Sequence, residues 1–180
     1  IWANRFAARG SFGRSPLIYY LGSVDNWMNL FQSRVPTFDE SVAIDYSKNY
    51  AYQALATNLR GFSQNIRNGS HFAVFNTELR WPIFRYFAGH PLASQFLNNF
   101  PVVGFADVGT AWSGAHPLTE DNAWDKEVIT NGPLTITLDA NRDPIVAGYG
   151  VGFRSRLLGY FIRLDWAWGV KNMKVQPRMF

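Results

Sequence analysis

The amino-acid sequence predicts an all-β chain that crosses a membrane as an antiparallel β-barrel, and three observations predict it. Side chains alternate with period two, one face apolar and the other ionic. Trp and Tyr sit near the strand ends of the apolar face, at Trp81, Tyr149, Tyr160, Trp166 and Trp168, as aromatic girdles at a membrane interface do. Long polar connections alternate with minimal ones, a barrel signature.

The strands follow in chain order. Residues 1–13 place Trp2, Phe6 and Ala8 on one face, with Arg5 and Arg9 opposite. A long, polar, turn-rich stretch runs from Arg14 to about Ser70. Residues 72–83 put Ala73, Phe75, Thr77, Leu79, Trp81 and Ile83 on one side and Asn76, Glu78 and Arg80 on the other. The link from Phe84 to Asn99 is intermediate in length and predicts one short helix over 90–97. Residues 100–112 alternate Phe100, Val102, Ala106, Val108 and Thr110 with Val103, Phe105, Asp107 and Gly109. The stretch 113–144 reads as a second polar loop. Residues 147–157 and 160–169 form a hairpin across Leu158-Gly159. Its outer face carries Tyr149, Val151, Phe153, Leu164, Trp166 and Trp168. Its inner face carries Gly148, Gly150, Gly152, Arg154, Arg156, Arg163 and Asp165. A last strand begins near Val175 and is cut short at Phe180.

Composition narrows the chemistry. In 180 residues there is no Cys, which excludes a disulfide scaffold, a Cys nucleophile and thiolate metal sites. Apolar residues at 47% and charged residues at 17% exclude disorder. No apolar run approaches the ~18 residues of a spanning helix, and the mean hydropathy of −0.14 agrees. No basic-then-apolar leader opens the chain, so a start at Ile1 reads as a processed chain or a part of one. The net charge of +4 is spread rather than clustered, which argues against nucleic acid as a partner.

A soluble sheet alternates too, but its polar face is rich in Lys and Glu. Here that face is Gly, Arg, Asp and Asn. Five full strands and part of a sixth leave two unpaired edges, which hydrocarbon does not tolerate. The chain is therefore expected to be a portion of a larger barrel.

Several motifs resemble the BamA-type family of outer-membrane protein assembly and translocation barrels, also called bacterial surface antigens. Asn58-Leu59-Arg60-Gly61-Phe62 resembles the (V/L)-R-G-(F/Y) tip of its inward-folded loop. Asn76-Thr77-Glu78-Leu79-Arg80-Trp81-Pro82 resembles its N-x-E-L-R-x-P strand, and Phe105-Ala106-Asp107-Val108-Gly109 its F-x-D-x-G strand. Gly148 to Arg154 and Arg163 to Ala167 resemble its closing G-x-G-x-R and R-x-D-x-A strands. The insertion between Tyr20–Trp27 and Arg60 resembles a Bacteroidetes-type branch. The resemblance implies that 1–180 is the C-terminal portion of a sixteen-stranded barrel. Its extracellular loop, about 14–70, folds inward, and upstream strands and periplasmic domains lie outside the chain.

It also implies a lock: Arg60 on the Asp107 strand, Gly61 making the tight turn and Phe62 packing inside. Parity alone makes Asp107 and Glu78 inward-facing carboxylates that such an Arg requires, against the bland reading of a solvated loop tip. Arg154, Arg163 and Asp165 are expected to face the lumen. Gly148, Gly150 and Gly152 are read either as lumen space or as packing relief. No catalytic residue, metal or cofactor is expected. His71, His90 and His116 lack ligand spacing, and the acidic stretch with Asp121, Asn122, Asp125, Asp139 and Asp143 lacks EF-hand spacing. The expected place is the bacterial outer membrane. The expected partners are its lipids, client outer-membrane or surface proteins, and periplasmic or lipoprotein subunits. The expected activity is insertion or translocation of those clients. The alternatives are a structural anchor within a larger complex and a soluble ligand-binding barrel.

Overall fold

Six strands hydrogen-bond edge to edge into one antiparallel sheet, in the order β1 (Trp2–Gly10), β5 (His71–Trp81), β6 (Val102–Trp112), β9 (Val146–Leu157), β10 (Tyr160–Lys171) and β11 (Lys174–Val175). The computed structural model describes residues 1–24, 37–88, 100–119, 122–131, 134–139, 141–157 and 159–176. The expected helix over 90–97 and the Phe180 stub lie outside these. The architecture is all-β; among the described residues the main sheet is open, with β1 and β10–β11 at its edges.

The intervening strands belong to the loops. Between β1 and β5, β2 (Leu17–Leu21) pairs in parallel with β3 (Tyr52–Leu55) and antiparallel with β4 (Arg67–Gly69). Between β6 and β9, β7 (Lys126–Asn131) and β8 (Leu134–Asp139) form a hairpin. That hairpin corrects the expectation of an irregular polar loop over 113–144. The alternating Leu134, Ile136 and Leu138 carried its signal, but the intervening Thr135 and Thr137 and the preceding Asn131-Gly132-Pro133 resemble loop composition. The described part of the link after β5 opens with a helix that was not expected, α1 (Ile83–Ala88). Pro82, which cannot donate to a ladder, ends β5 and opens this helix. The 172–173 turn is minimal although it lies at the same end as the long loops. Asn172 and Met173 both adopt positive φ there, the left-handed pair of a two-residue hairpin.

Register fixes what lies across each face. On the outer face, Trp2, Leu79, Gly104, Val151 and Trp166 form one row. Phe6, Phe75, Val108, Ala147 and Val170 form another. Leu79, Phe75, Val108, Tyr149, Val151 and Leu164 are exposed. The Thr77 hydroxyl in the row between them is satisfied within the sheet: it donates to Asn4 Oδ1 at 2.7 Å and accepts from Trp2 Nε1 at 2.8 Å. On the inner face run Arg5, Asn76, Asp107, Gly148 and Gly169, then Ala3, Glu78, Phe105, Gly150 and Ala167.

The inner face is covered by the loop. Tyr19, Leu21, Leu59, Phe62 and Ile66 pack on Phe72, Val74, Ala111 and Val146 to form the core. Each large side chain buried there contributes about 1.5–3 kcal/mol. The core therefore lies between a loop and one end of the sheet, and the ionic residues lie further along the same face.

Candidate functional site: the arginine tip and its seat

The 59–63 segment reaches the sheet because its neighbours hold it on both sides. Ser23 donates its N–H to Phe62 O at 3.0 Å, and Leu59 donates to Ser23 O at 3.0 Å. Gly61 turns the chain at φ +92, a conformation that favours glycine. Asn65, fully buried with φ 71, donates to the carbonyls of Asp39 and Val42, tying the loop to itself.

Arg60 is 5% exposed and Asp107 0%. The guanidinium donates Nε to Asp107 Oδ2 at 2.6 Å and Nη2 to Oδ1 at 2.6 Å, a bidentate fork. The Arg60 backbone N–H adds a third bond to Oδ2 at 3.1 Å. Nη1 donates to Glu78 Oε1 at 2.5 Å. The face of the cation lies 3.7 Å from the Phe105 ring centroid. Asn76 completes the site, donating Nδ2 both to Asp107 Oδ1 and to Asn58 O at 2.9 Å. Burial opposes the charge on Arg60, but the bonds and charge of Asp107, then those of Glu78, outweigh it and push its pKa up.

The opposite wall is glycine. A Cβ on Gly148 would overlap the Arg60 carbonyl oxygen, and one on Gly169 would overlap the Phe62 ring. A Cβ on Gly61 would fall 2.7 Å from the Trp168 carbonyl carbon. The inner glycines are thus occupied rather than open: Gly148 by the tip, Gly150 by Phe105 and the Trp166 backbone, Gly152 by the Asp165 and Arg154 side chains. That resolves the two readings of these glycines in favour of close packing, with each missing side chain replaced in space by a specific neighbour.

The remaining predicted residues lie toward the other end of the inner face. Arg154, 7% exposed, donates Nη1 to Asp165 Oδ1 at 2.5 Å. Arg163 Nε lies 2.9 Å from Asp165 Oδ2. Arg80 donates to Glu78 Oε2 at 2.8 Å and 3.0 Å. Arg156 departs from the expected inner row. It is exposed, while Ser155 beside it is buried, so the alternation slips at the end of β9.

A third buried arginine was not among the predicted residues. Arg67, 0% exposed, donates to Asp143 O at 3.1 and 2.5 Å and to Ile66 O at 2.6 Å. It lies 4.8 Å from the ring of Trp124, whose Nε1 donates to Ala111 O. Arg142 ties the same corner, through Trp124 O and Asp125 Oδ1. Burial first, and Arg142 second, push the Arg67 guanidinium down to about 10. Nothing periodic marks it, because its acceptors are backbone carbonyls.

Among the described residues no group of three or more His, Asp or Glu is placed to hold a metal ion. Among them, too, no helix is long and apolar enough to cross a membrane, which says nothing of spanning by strands. What the geometry defines is an antiparallel sheet with one bare apolar face and an ionic inner face seated by a loop. Comparison with protein-family models, curated proteins and solved structures returned no match.

Proposed function

We propose that the chain is the C-terminal portion of a sixteen-stranded outer-membrane β-barrel of the BamA type, which assists insertion or translocation of outer-membrane or surface proteins. The observation that carries this reading is the opposition of the two sheet faces. From His71 to Trp81 the outward side chains of β5 include no Asp, Glu, Lys or Arg, while Asn76, Glu78 and Arg80 point inward. At that outer face, one end carries Phe12, His71 and Trp112 in ring contact, and the other carries Trp81 and Tyr86. Ten residues separate the two aromatic ends along β5. At ~3.4 Å per residue and a tilt of ~40° they stand about 26 Å apart along the membrane normal, close to the ~25 Å apolar band of such barrels.

Water explains this arrangement less well. An outer face with Leu79 61% and Trp2 73% exposed is costly in water, and lipid removes that cost. The edges of β1 and β10 call for neighbouring strands in hydrocarbon, since unpaired backbone groups there are expensive. The tip on Asp107 and Glu78 supports the family resemblance, because it brings together three motifs that are separate in the chain.

The alternative is a structural anchor in a larger outer-membrane complex. The seated tip speaks for it, since it occupies inner-face space that a passing client needs. Two experiments separate the readings. Refolding of the full-length protein in detergent or lipid is expected to give a heat-modifiable, protease-resistant band; folding of its barrel region to a stable monomer in plain buffer would overturn the membrane reading. Depleting the full-length protein in its cell is then expected to lower the amounts of other assembled barrels. If those stay correctly assembled, the anchor reading stands and the insertion reading falls.

A further inference from the structure

The β7–β8 hairpin stands apart from the main sheet. Its two strands pair with each other and, among the described residues, with no other strand. Every residue of β8 is exposed. Leu134, Ile136 and Leu138 alternate with Thr135 and Thr137, so one face of the strand is aliphatic. An isolated two-stranded ribbon is only marginally stable in water; three or more strands sharing an apolar face hold together. A free strand edge is also a template for another strand, and proteins blunt such edges with Lys, Pro or an inward charge. From Leu134 to Leu138 the strand carries no Lys, no Pro and no charge.

The residues of that edge say what it fits. Leu134-Thr135-Ile136-Thr137-Leu138 reads the same in both directions. Antiparallel pairing of β8 with a second β8, centred on Ile136, sets Leu134 against Leu138, Thr135 against Thr137 and Ile136 against Ile136. Aliphatic residues then meet aliphatic ones, and Thr meets Thr, a favourable pair across strands. A two-fold interface demands a patch that complements itself, which a foreign strand would not require. Asp139 lies outside the symmetric stretch, and this register keeps its two copies at opposite ends. The other edge, β7, has no such symmetry and begins with Lys126 and Glu127.

We propose that β8 is a self-association edge: two copies of the chain pair through Leu134–Leu138 into a four-stranded antiparallel sheet. The inference rests on the β7–β8 hairpin and not on the barrel's activity.

The test is cross-linking in the full-length protein, made in a background free of other Cys; residues 1–180 contain none. Ile136→Cys under mild oxidation is expected to give a dimer of the chain. Met173→Cys, exposed at the turn between β10 and β11, is the control for random collision and is expected to give none. Leu134→Cys and Leu138→Cys are each expected to stay uncross-linked alone and to join when the two are co-expressed. Ile136→Lys, a change at an exposed position, is expected to convert the dimer to a monomer by light scattering with no loss of the folded band. A monomeric mass for the unsubstituted protein overturns the proposal, as does equal cross-linking at Ile136→Cys and Met173→Cys. Joining of Ile136→Cys to a different protein overturns the second copy as the occupant. The assay is run in whichever medium folds the protein, detergent or plain buffer, so failure of the membrane reading and failure of this interface remain distinguishable.

Discussion

Arg60 and Arg67 lie seven residues apart in one loop, both buried, and solve the same problem in different ways. Arg60 spends its donors on two carboxylates and one aromatic face. Arg67 has backbone carbonyls and the Trp124 ring. The first pKa is pushed up and the second down to about 10. The difference lies in what each joins. Arg60 bonds side chains of two sheet strands and so docks the loop on the sheet. Arg67 bonds the main chain near Asp143, whose own N–H donates to Asn172 Oδ1, and so ties loop to loop. A charge-paired arginine leaves a carboxylate behind when removed; a carbonyl-bonded one leaves neutral acceptors.

The largest effect that sharpens this contrast is expected for Asp107→Ala, which leaves Arg60 charged and buried. A loss of about 3–5 kcal/mol is expected in denaturant unfolding, with Arg60→Ala similar, because each strands the other's charge. The double variant is expected to lose less than the sum. Additive losses would break the claim that the two act as one unit. Gly148→Ala comes next, at about 1–3 kcal/mol, because a methyl there overlaps the Arg60 carbonyl and must push the tip off its seat. Gly104→Ala is the control: nothing lies within 4 Å of its added Cβ, and no loss from overlap is expected. Equal effects at the two glycines would mean that the tip is not seated on β9.

The same contrast explains what could be read from the residues alone. Arg60 was legible as a partner only through the motif resemblance, which implied the loop tip; Glu78 and Asp107 were legible because strand parity puts both carboxylates on one face. Leu79, Tyr149 and Leu164 were legible as an outer face for the same reason. Arg67, Asn65 and Asn122 were not: their partners are main-chain carbonyls and amides contributed by irregular backbone, which no period encodes. The β7–β8 hairpin was missed because a strand exposed on both faces lacks an apolar-against-ionic alternation. Gly148 and Gly169 were legible as inward glycines but not as a seat, since what fills the space comes from about ninety residues or more away in the chain.

The Arg67 side of the comparison yields the smaller effects. Arg67→Met keeps the apolar stem and removes the charge, leaving the carbonyls of Asp143 and Ile66 without that donor. A loss of about 1–3 kcal/mol is expected, and hydrogen exchange is expected to rise around 141–145 but not at Arg60. Spread of that exchange to the tip would show the two arginines to be one cooperative element.

The smallest effect is a pH dependence, and its sign follows from linkage. The folded-state pKa of Arg67 lies below the ordinary arginine value, so above about 10 the unfolded chain holds a proton that the folded chain has given up. The unfolded state then binds more protons, and stability contributed through Arg67 rises with pH in that window. Arg60 is shifted the other way; its contribution is full below the ordinary value and shows no such gain. The stability gap between the unsubstituted chain and Arg67→Met is therefore expected to move in favour of the unsubstituted chain between about pH 9 and about 11. The gap to Arg60→Met is expected to stay flat over that range. Parallel behaviour of the two gaps would show that carbonyl acceptors hold the guanidinium charge as firmly as carboxylates do, and the contrast between loop-to-sheet and loop-to-loop arginines would lose its electrostatic basis.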